Sequence, residues 1–503
     1  MVLQAPSFSL STILLSGFFF LAVFLTHLIL IPYLKILTYK AKGFQTYFFP
    51  VLGEVMLWMK NYKTRGDIFA ETKECSVKFP NQKLLVSNIN HNILFLLRDP
   101  LYAKEFLANP QLYVKCGATD FLKPILGYGG LAMLEGDQWK RHRKIIASSF
   151  HYESLRTNIG VVQKTVRELF DKLPPKDLKN YSAIDKFQEI TGEVVGRIFF
   201  GEKLNDYTHE GKPLTMSMAD LVADVMEASF SPLAIFFGRY AIEYPVFPRF
   251  IKLKKQIKSI RDICFQIIKD RKESKQGGND LLNSLLETQN LADPEMRFTD
   301  KEIVDEFITF FIAGMDTTGH LVAMVLYDLS QHPEHFQAVE KERKETYNQE
   351  KVINVSTLEK MTELHYAMKE TMRLHTPAAW PFYRVAITDH KIGDLEVKKG
   401  TWIRLEFLAL SNSQKHFENA EEYKPGRWKE ASVGKVEPYA YTPFSAGPRN
   451  CVGQHLAVAE TKILVSEFLE RFNFKVKDDF KLRMVQRFLY EPDGKMMFEL
   501  TPK

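Results

Sequence analysis

Cysteine is scarce. The 503 residues hold four, Cys75, Cys116, Cys264 and Cys451, widely spaced and without a C-x-x-C pair. That excludes a disulfide scaffold and a structural zinc ribbon and suits a reducing compartment. The chain also lacks a G-x-G-x-x-G nucleotide fingerprint, cysteine sets with iron–sulfur spacing, internal repeats, low-complexity tracts and any long Gly/Ser/Pro linker. No charge sign dominates: 67 basic and 61 acidic residues are interspersed for a net +6. Nucleic acid is therefore not expected as a partner, whereas the mild basic excess suits anionic lipid or an acidic protein face.

Charge is missing altogether from Met1 to Leu34, and Phe8–Ile31 is overwhelmingly apolar. About 20 apolar residues cross a bilayer core, more than the hydrophobic part of a cleavable signal usually holds. No basic segment precedes the run, while Lys35, Lys40 and Lys42 follow it. These features predict an uncleaved transmembrane anchor over residues 1–34, a basic linker and turn containing Pro50 over 35–53, and one folded domain over 54–503 on the cytosolic side. The Phe-rich patches Phe230–Phe237 and Phe307–Ile312 are too short or too interrupted to be second spans. With that topology the sequons Asn180-Tyr181-Ser182 and Asn354-Val355-Ser356 stay unmodified.

Apolar residues recur at helical spacing over 138–156, 164–173, 185–200 and 214–227, with breaks at Pro174–Pro175, Gly201 and Pro232. Longer helical patterns cover Asp300–Gln331, ended by Pro333, and Leu358–His375 and Gln454–Phe472. Short β-branched or alternating runs at Ser76–Phe79, Lys83–Val86, Phe382–Ile387, Trp402–Leu405 and Lys495–Leu500 predict a small sheet at each end of the domain. Residues 272–280, with Gly277–Gly278, read as a surface turn.

The segment with the most specific chemistry is Phe444-Ser445-Ala446-Gly447-Pro448-Arg449-Asn450-Cys451-Val452-Gly453, which places one cysteine just before a helix. Backbone N–H groups and the helix dipole there favour a thiolate, the form that binds iron. Gly447 allows a tight turn, Gly453 lets a flat macrocycle approach, Arg449 can pair with a propionate and Phe444 can shield the sulfur. The other three cysteines read as small core hydrophobes.

This loop resembles the F-x-x-G-x-R-x-C-x-G signature of the cytochrome P450 superfamily, and three more motifs follow the family's order. Ala313-Gly314-Met315-Asp316-Thr317-Thr318 is similar to its oxygen-activation motif. The resemblance implies that Ala313 and Gly314 open a groove for dioxygen and that Asp316 and Thr317 deliver protons. Glu370-Thr371-Met372-Arg373 matches E-x-x-R, a structural pair expected to lock onto Arg427, although Gly426 and Trp428 stand where the family often has an acid and usually has Phe. Trp139-Lys140-Arg141-His142-Arg143 matches W-x-x-x-R, in which Trp139 and Arg143 contact a haem propionate; His142 is a bystander.

The resemblance covers nearly the whole chain. It implies the mainly α cytochrome P450 fold with a smaller β part, preceded by one N-terminal transmembrane helix. It implies haem b (iron protoporphyrin IX) with Cys451 as axial ligand, and a monooxygenase that puts one atom of dioxygen into a lipophilic substrate: a fatty acid, sterol or xenobiotic. Electrons are expected from an NADPH-cytochrome P450 reductase, with cytochrome b5 as a second donor, at the endoplasmic reticulum membrane. Phe121, Leu122, Phe310, Ala313, Ala378, Ala379, Trp380, Phe488 and Leu489 are the expected substrate wall, though ordinary core packing accounts for such residues equally well. Ala313 offers no carboxylate for the ester link to haem found in many fatty-acid ω-hydroxylases. Two rivals remain. A hydroperoxide isomerase or dehydratase often lacks an acid–threonine pair, and a non-catalytic haem sensor would show a disrupted distal motif.

Overall fold

The computed structural model describes all residues except 1–9, 52, 117, 149, 151, 202–206, 230, 275–279, 348–350, 380–381, 430–433, 435 and 488. Most of the expected surface turn at 272–280, the substrate-wall residues Trp380 and Phe488, and the first residues of the anchor therefore lie outside the described residues.

One helix organises the domain. Asp300–Gln331 is 32 residues long and starts at a capping box, in which the Thr299 side chain accepts from the Glu302 N–H and the Glu302 carboxylate accepts from the Thr299 N–H. Its central turns are buried on nearly every face, as an apolar helix at the middle of a large domain should be. Its main partner is the helix Ala183–Phe200. Small residues allow that close pairing: a Cβ on Gly319 would stand 2.8 Å from the Gln188 backbone nitrogen, and one on Gly192 3.2 Å from Met315. Thr191 adds a hydrogen bond to the Met315 carbonyl at 2.7 Å.

Strands from both ends of the chain share one sheet, which corrects the expectation of a small sheet at each end. Gln45–Thr46, Leu84–Ile89, Asn92–Leu97, Trp402–Leu405, Arg384–Ala386 and Tyr113–Lys115 lie side by side in that order. Asn92–Leu97 runs parallel to Trp402–Leu405, with Leu94 opposite Trp402. Arg404 at its centre is buried and pairs with Glu54 at 2.7 Å, so the start of the folded domain is pinned to its late strands. Another sheet joins Phe472–Val476, Met497–Pro502 and Tyr181–Ser182.

Three local expectations also change. Ser76–Phe79 is the end of a helix, Ala70–Lys78, rather than a strand. The pattern over 138–156 falls on two helices, Gly136–Ser148 and Tyr152–Asp171. The pattern over 358–375 is broken at Met361, which separates Val355–Lys360 from Thr362–His375.

The N-terminal segment is helical from Leu10 to Ala41, with a π turn over Thr26–Leu30. Leu14–Ala41 contains an 18-residue stretch with a mean hydropathy of 2.4 and is long and apolar enough to cross a membrane. Leu14, Leu15, Phe18, Phe19 and Phe20 are exposed. It meets the domain from about its middle onward: the His27 ring lies 4.6 Å from that of His91, Leu28 and Ile36 are buried, and Tyr39 meets Phe95 edge-on.

Candidate active site

The cysteine loop is built on two left-handed residues, Ser445 (φ 59°) and Gly447 (φ 72°). At 447 glycine is required, because a Cβ would sit 2.4 Å from the Leu107 carbonyl oxygen. The Cys451 N–H donates to the Phe444 carbonyl at 2.9 Å and closes the loop, and Gln454–Arg471 starts three residues later. Burial raises the Cys451 thiol above its ordinary pKa, although the Gly453 N–H and the nearby Arg143 charge pull it down. The Gly453 N–H favours the thiolate, as expected of that position, but burial outweighs it, and a bound metal cation would supply the missing countercharge.

Protein surrounds Cys451, yet its surface is accessible because it faces a cavity of about 1160 Å3. Phe444, Arg449, Val452, Gly453 and Leu456 line the cavity beside it, and Phe310, Ala313, Gly314 and Thr317 line it from the central helix. A Cβ on Gly453 would come no closer to a neighbour than 4.0 Å, at Phe150, so that position is open for a flat ligand. Between Glu302 and Ser330, Ala313 is the exposed residue of the central helix. Gly314 lines the cavity beside Ala313, and a Cβ there would stand 2.7 Å from Val195, so its smallness also admits the neighbouring helix.

Thr317 lines the cavity with its hydroxyl donating to the Ala313 carbonyl at 2.6 Å. Asp316 turns the other way, is buried, and accepts from the Gln188 amide. Among the expected substrate contacts, Phe121, Leu122, Ala378 and Leu489 do line the cavity. Ala379 does not; it is buried against Trp58, Phe69 and Tyr490.

Trp139 and Arg143 brace the loop instead of lining the cavity. Trp139 stacks under the Arg449 guanidinium at 4.0 Å, and Arg143 donates to the Asn450 carbonyl and side-chain oxygen at 2.8 and 2.6 Å. His142 faces the central helix, with Nδ1 2.6 Å from Glu306.

Three residues that the sequence reading did not single out surround Arg449. Arg449 donates to the Leu134 carbonyl at 2.7 Å and pairs with Glu135. Glu135 also binds Lys115 at 3.1 Å, while Arg384 lines the cavity. Burial lowers the pKa of all three cations, that of Lys115 to about 7 and that of Arg449 to about 10 despite Glu135. Three poorly solvated cations thus share one carboxylate among the described residues, and this excess fits a ligand that brings carboxylates of its own, as haem does. The only sequence trace of Arg384 was a charge inside the alternating run at Phe382–Ile387.

Behind the loop, Glu370 and Arg373 are fully buried and bonded to each other at 2.8 and 3.0 Å. Arg427 joins them, its Nε 2.9 Å from Glu370, and Arg373 also donates to the carbonyls of Ser411, Ala420 and Glu422. The departure from Phe at Trp428 has a physical consequence, since its indole N–H donates to Glu370 at 2.9 Å. Trp428 in turn packs on Tyr441, which leads into the cysteine loop.

A cytochrome P450 family model matches residues 48–497. Cytochrome P450 734A1 from Arabidopsis thaliana is 28% identical over 394 residues, covering 75% of this chain and 72% of that protein. Cytochrome P450 3A12 from Canis lupus familiaris is 24% identical over 400 residues, 77% of each. The crystal structure of the cytochrome P450DA haem domain shares the fold, with a TM-score of 0.75 at 21% identity over 88% of this chain and 94% of that one. The chain belongs to the cytochrome P450 family and is a haem-dependent monooxygenase that uses a redox partner, dioxygen and a lipophilic substrate.

Proposed function

We propose that this protein is a membrane-anchored monooxygenase of the endoplasmic reticulum, with residues 54–503 on the cytosolic face and electrons supplied by an NADPH-cytochrome P450 reductase, assisted by cytochrome b5. The observation that carries this reading is that Cys451, Ala313 and Thr317 line one largely apolar cavity. Cys451 would hold haem iron, and haem bound there would supply dioxygen activation. Arg449 and Arg384, with Lys115 close by, would hold its carboxylates, and Gly453 would leave room for it. Thr317 lines the same cavity and would pass protons through its hydroxyl, and Asp316 one residue earlier would be the acid that recharges it. Phe121, Leu122, Phe310, Ala378 and Leu489 exclude water and favour an apolar substrate. The exposed Lys140 and Lys144, on the helix whose Arg143 holds Asn450, offer a basic rim to an acidic reductase.

The full-length protein, reconstituted with reductase and screened on fatty acids, sterols and xenobiotics, tests the reading. NADPH-dependent transfer of one atom of isotope-labelled dioxygen to product supports it. Conversion of a hydroperoxide without reductase or NADPH would point to an isomerase instead.

A further inference from the structure

His320 lies one helical turn beyond Asp316, buried, with its ring between two carboxylates. Nδ1 is 2.8 Å from the Asp316 carbonyl and 3.4 Å from its Oδ1, and Nε2 is 3.3 Å from Glu491 Oε2. The Gln188 amide, from the helix Ala183–Phe200, contacts both Asp316 and His320. The charged groups facing the ring are Asp316 from its own helix and Glu491 from the hairpin of Met484–Gln486 and Tyr490–Pro492. Behind Glu491 stands Arg487, bonded to it at 2.6 Å and to Asp493 at 2.8 Å. Burial disfavours a charged imidazole, but Asp316 and Glu491 outweigh it and raise the His320 pKa to about 9. Leu489, two residues before Glu491 in the same hairpin, lines the cavity.

We propose that His320 is a positioning residue for Asp316: it clamps the acid toward the helix Ala183–Phe200 and ties it to the hairpin bearing Leu489. Substrate pressing on Leu489 then shifts Glu491, loosens the clamp and lets Asp316 turn toward Thr317, so that protons arrive when substrate is present. The inference rests on the roles given above to Asp316 and Thr317. It adds a link from the substrate wall to the proton donor through a histidine that none of the four sequence motifs contains.

The test uses the full-length haem-loaded protein in lipid nanodiscs, as wild type, His320→Gln and Glu491→Gln. One readout is the melting temperature between about pH 6 and pH 10, a window set by ordinary and raised histidine pKa values. The His320 pKa is raised in the folded state, so its contribution is complete below the unfolded value and is lost as pH rises through about 9. The wild type should lose melting temperature as pH rises through about 9, and His320→Gln should lose less there. The second readout, with reductase and a substrate that is turned over, is the share of NADPH released as hydrogen peroxide. Both variants should raise it several-fold with KM little changed. Wild-type pH dependence in His320→Gln, or an unchanged peroxide share, would overturn the proposal; should His320→Gln not fold, an unchanged share in Glu491→Gln does so. A wild type without thiolate-ligated haem would overturn the reading of the active site instead, while the melting curves still decide whether His320 is a shared cation.

Discussion

Arg143 grips Asn450 through both its carbonyl and its side chain, at 2.8 and 2.6 Å, and so fixes the residue just before Cys451 from a helix more than 300 positions earlier. The orientation of the cysteine thus depends on the Trp139–Arg143 helix as well as on its own loop. Arg143→Ala removes two hydrogen bonds from a charged donor, each worth about 1.5–3 kcal/mol in such settings, with partial exposure reducing the sum. The expected outcome is a lower haem-to-protein ratio and a lower melting temperature, with Arg143→Lys intermediate. A variant that retains full haem would show that the loop holds its shape unaided.

Glu370 accepts from Arg373, Arg427, Trp428 and the Lys424 N–H at once. Removing it leaves buried guanidinium groups without a counterion, a loss of about 3–5 kcal/mol. Glu370→Ala should therefore fail to accumulate as haem protein. Trp428→Phe deletes a single indole donor and should fold with a smaller decrease in melting temperature. Equal damage from the two variants would contradict the hub.

Much of this site was legible because it is local. The turn at Gly447, the cysteine before a helix and the uninterrupted pattern over Asp300–Gln331 are set by neighbouring residues, and the helix bounds agree to the residue. The mixed sheet was not legible, because Leu94 and Trp402 pair across some 300 residues and neither strand's pattern names its partner. Ser76–Phe79 is a four-residue alternation too short to distinguish a strand from a helix end. The cluster of Lys115, Glu135 and Arg384 assembles only in three dimensions, and so does the sharing of Asp316 with Gln188 and His320.

Thr317 and Asp316 should separate by phenotype. Thr317→Ala removes a hydroxyl that lines the cavity and should keep NADPH consumption while diverting it to hydrogen peroxide. Asp316→Asn removes the acid proposed to supply protons and should lower kcat on the order of 100-fold with little change in KM. Product and peroxide yields per NADPH check both. An undiminished product yield in Asp316→Asn would remove the acid from the mechanism.

Asp328 is buried in the central helix, where desolvation raises its pKa to about 7 even though Thr371 donates to it at 2.7 Å. Its folded pKa lies above its unfolded one, so its contribution to stability is complete below about pH 4 and is lost as pH rises through about 7. Asp328→Asn should gain melting temperature relative to wild type at pH 8 more than at pH 5. The same difference at both pH values would show that Asp328 does not titrate in this range.

The side chain of Asn354 caps the helix Val355–Lys360, accepting from the Thr357 N–H at 3.0 Å. Asn354→Ala should cost about 1 kcal/mol. With the domain on the cytosolic side neither Asn354 nor Asn180 carries a glycan, and glycosidase treatment should leave the mobility of the protein from microsomes unchanged. A shift would reverse the proposed topology.

The most direct test of the account is the carbon monoxide difference spectrum of the reduced, purified protein beside Cys451→His. The account predicts the red-shifted Soret band of a thiolate-ligated haem in the wild type and its loss in the variant. A wild-type spectrum of the histidine-ligated kind, or well-folded protein that takes up no haem, would contradict the assignment of Cys451 and the mechanism built on it.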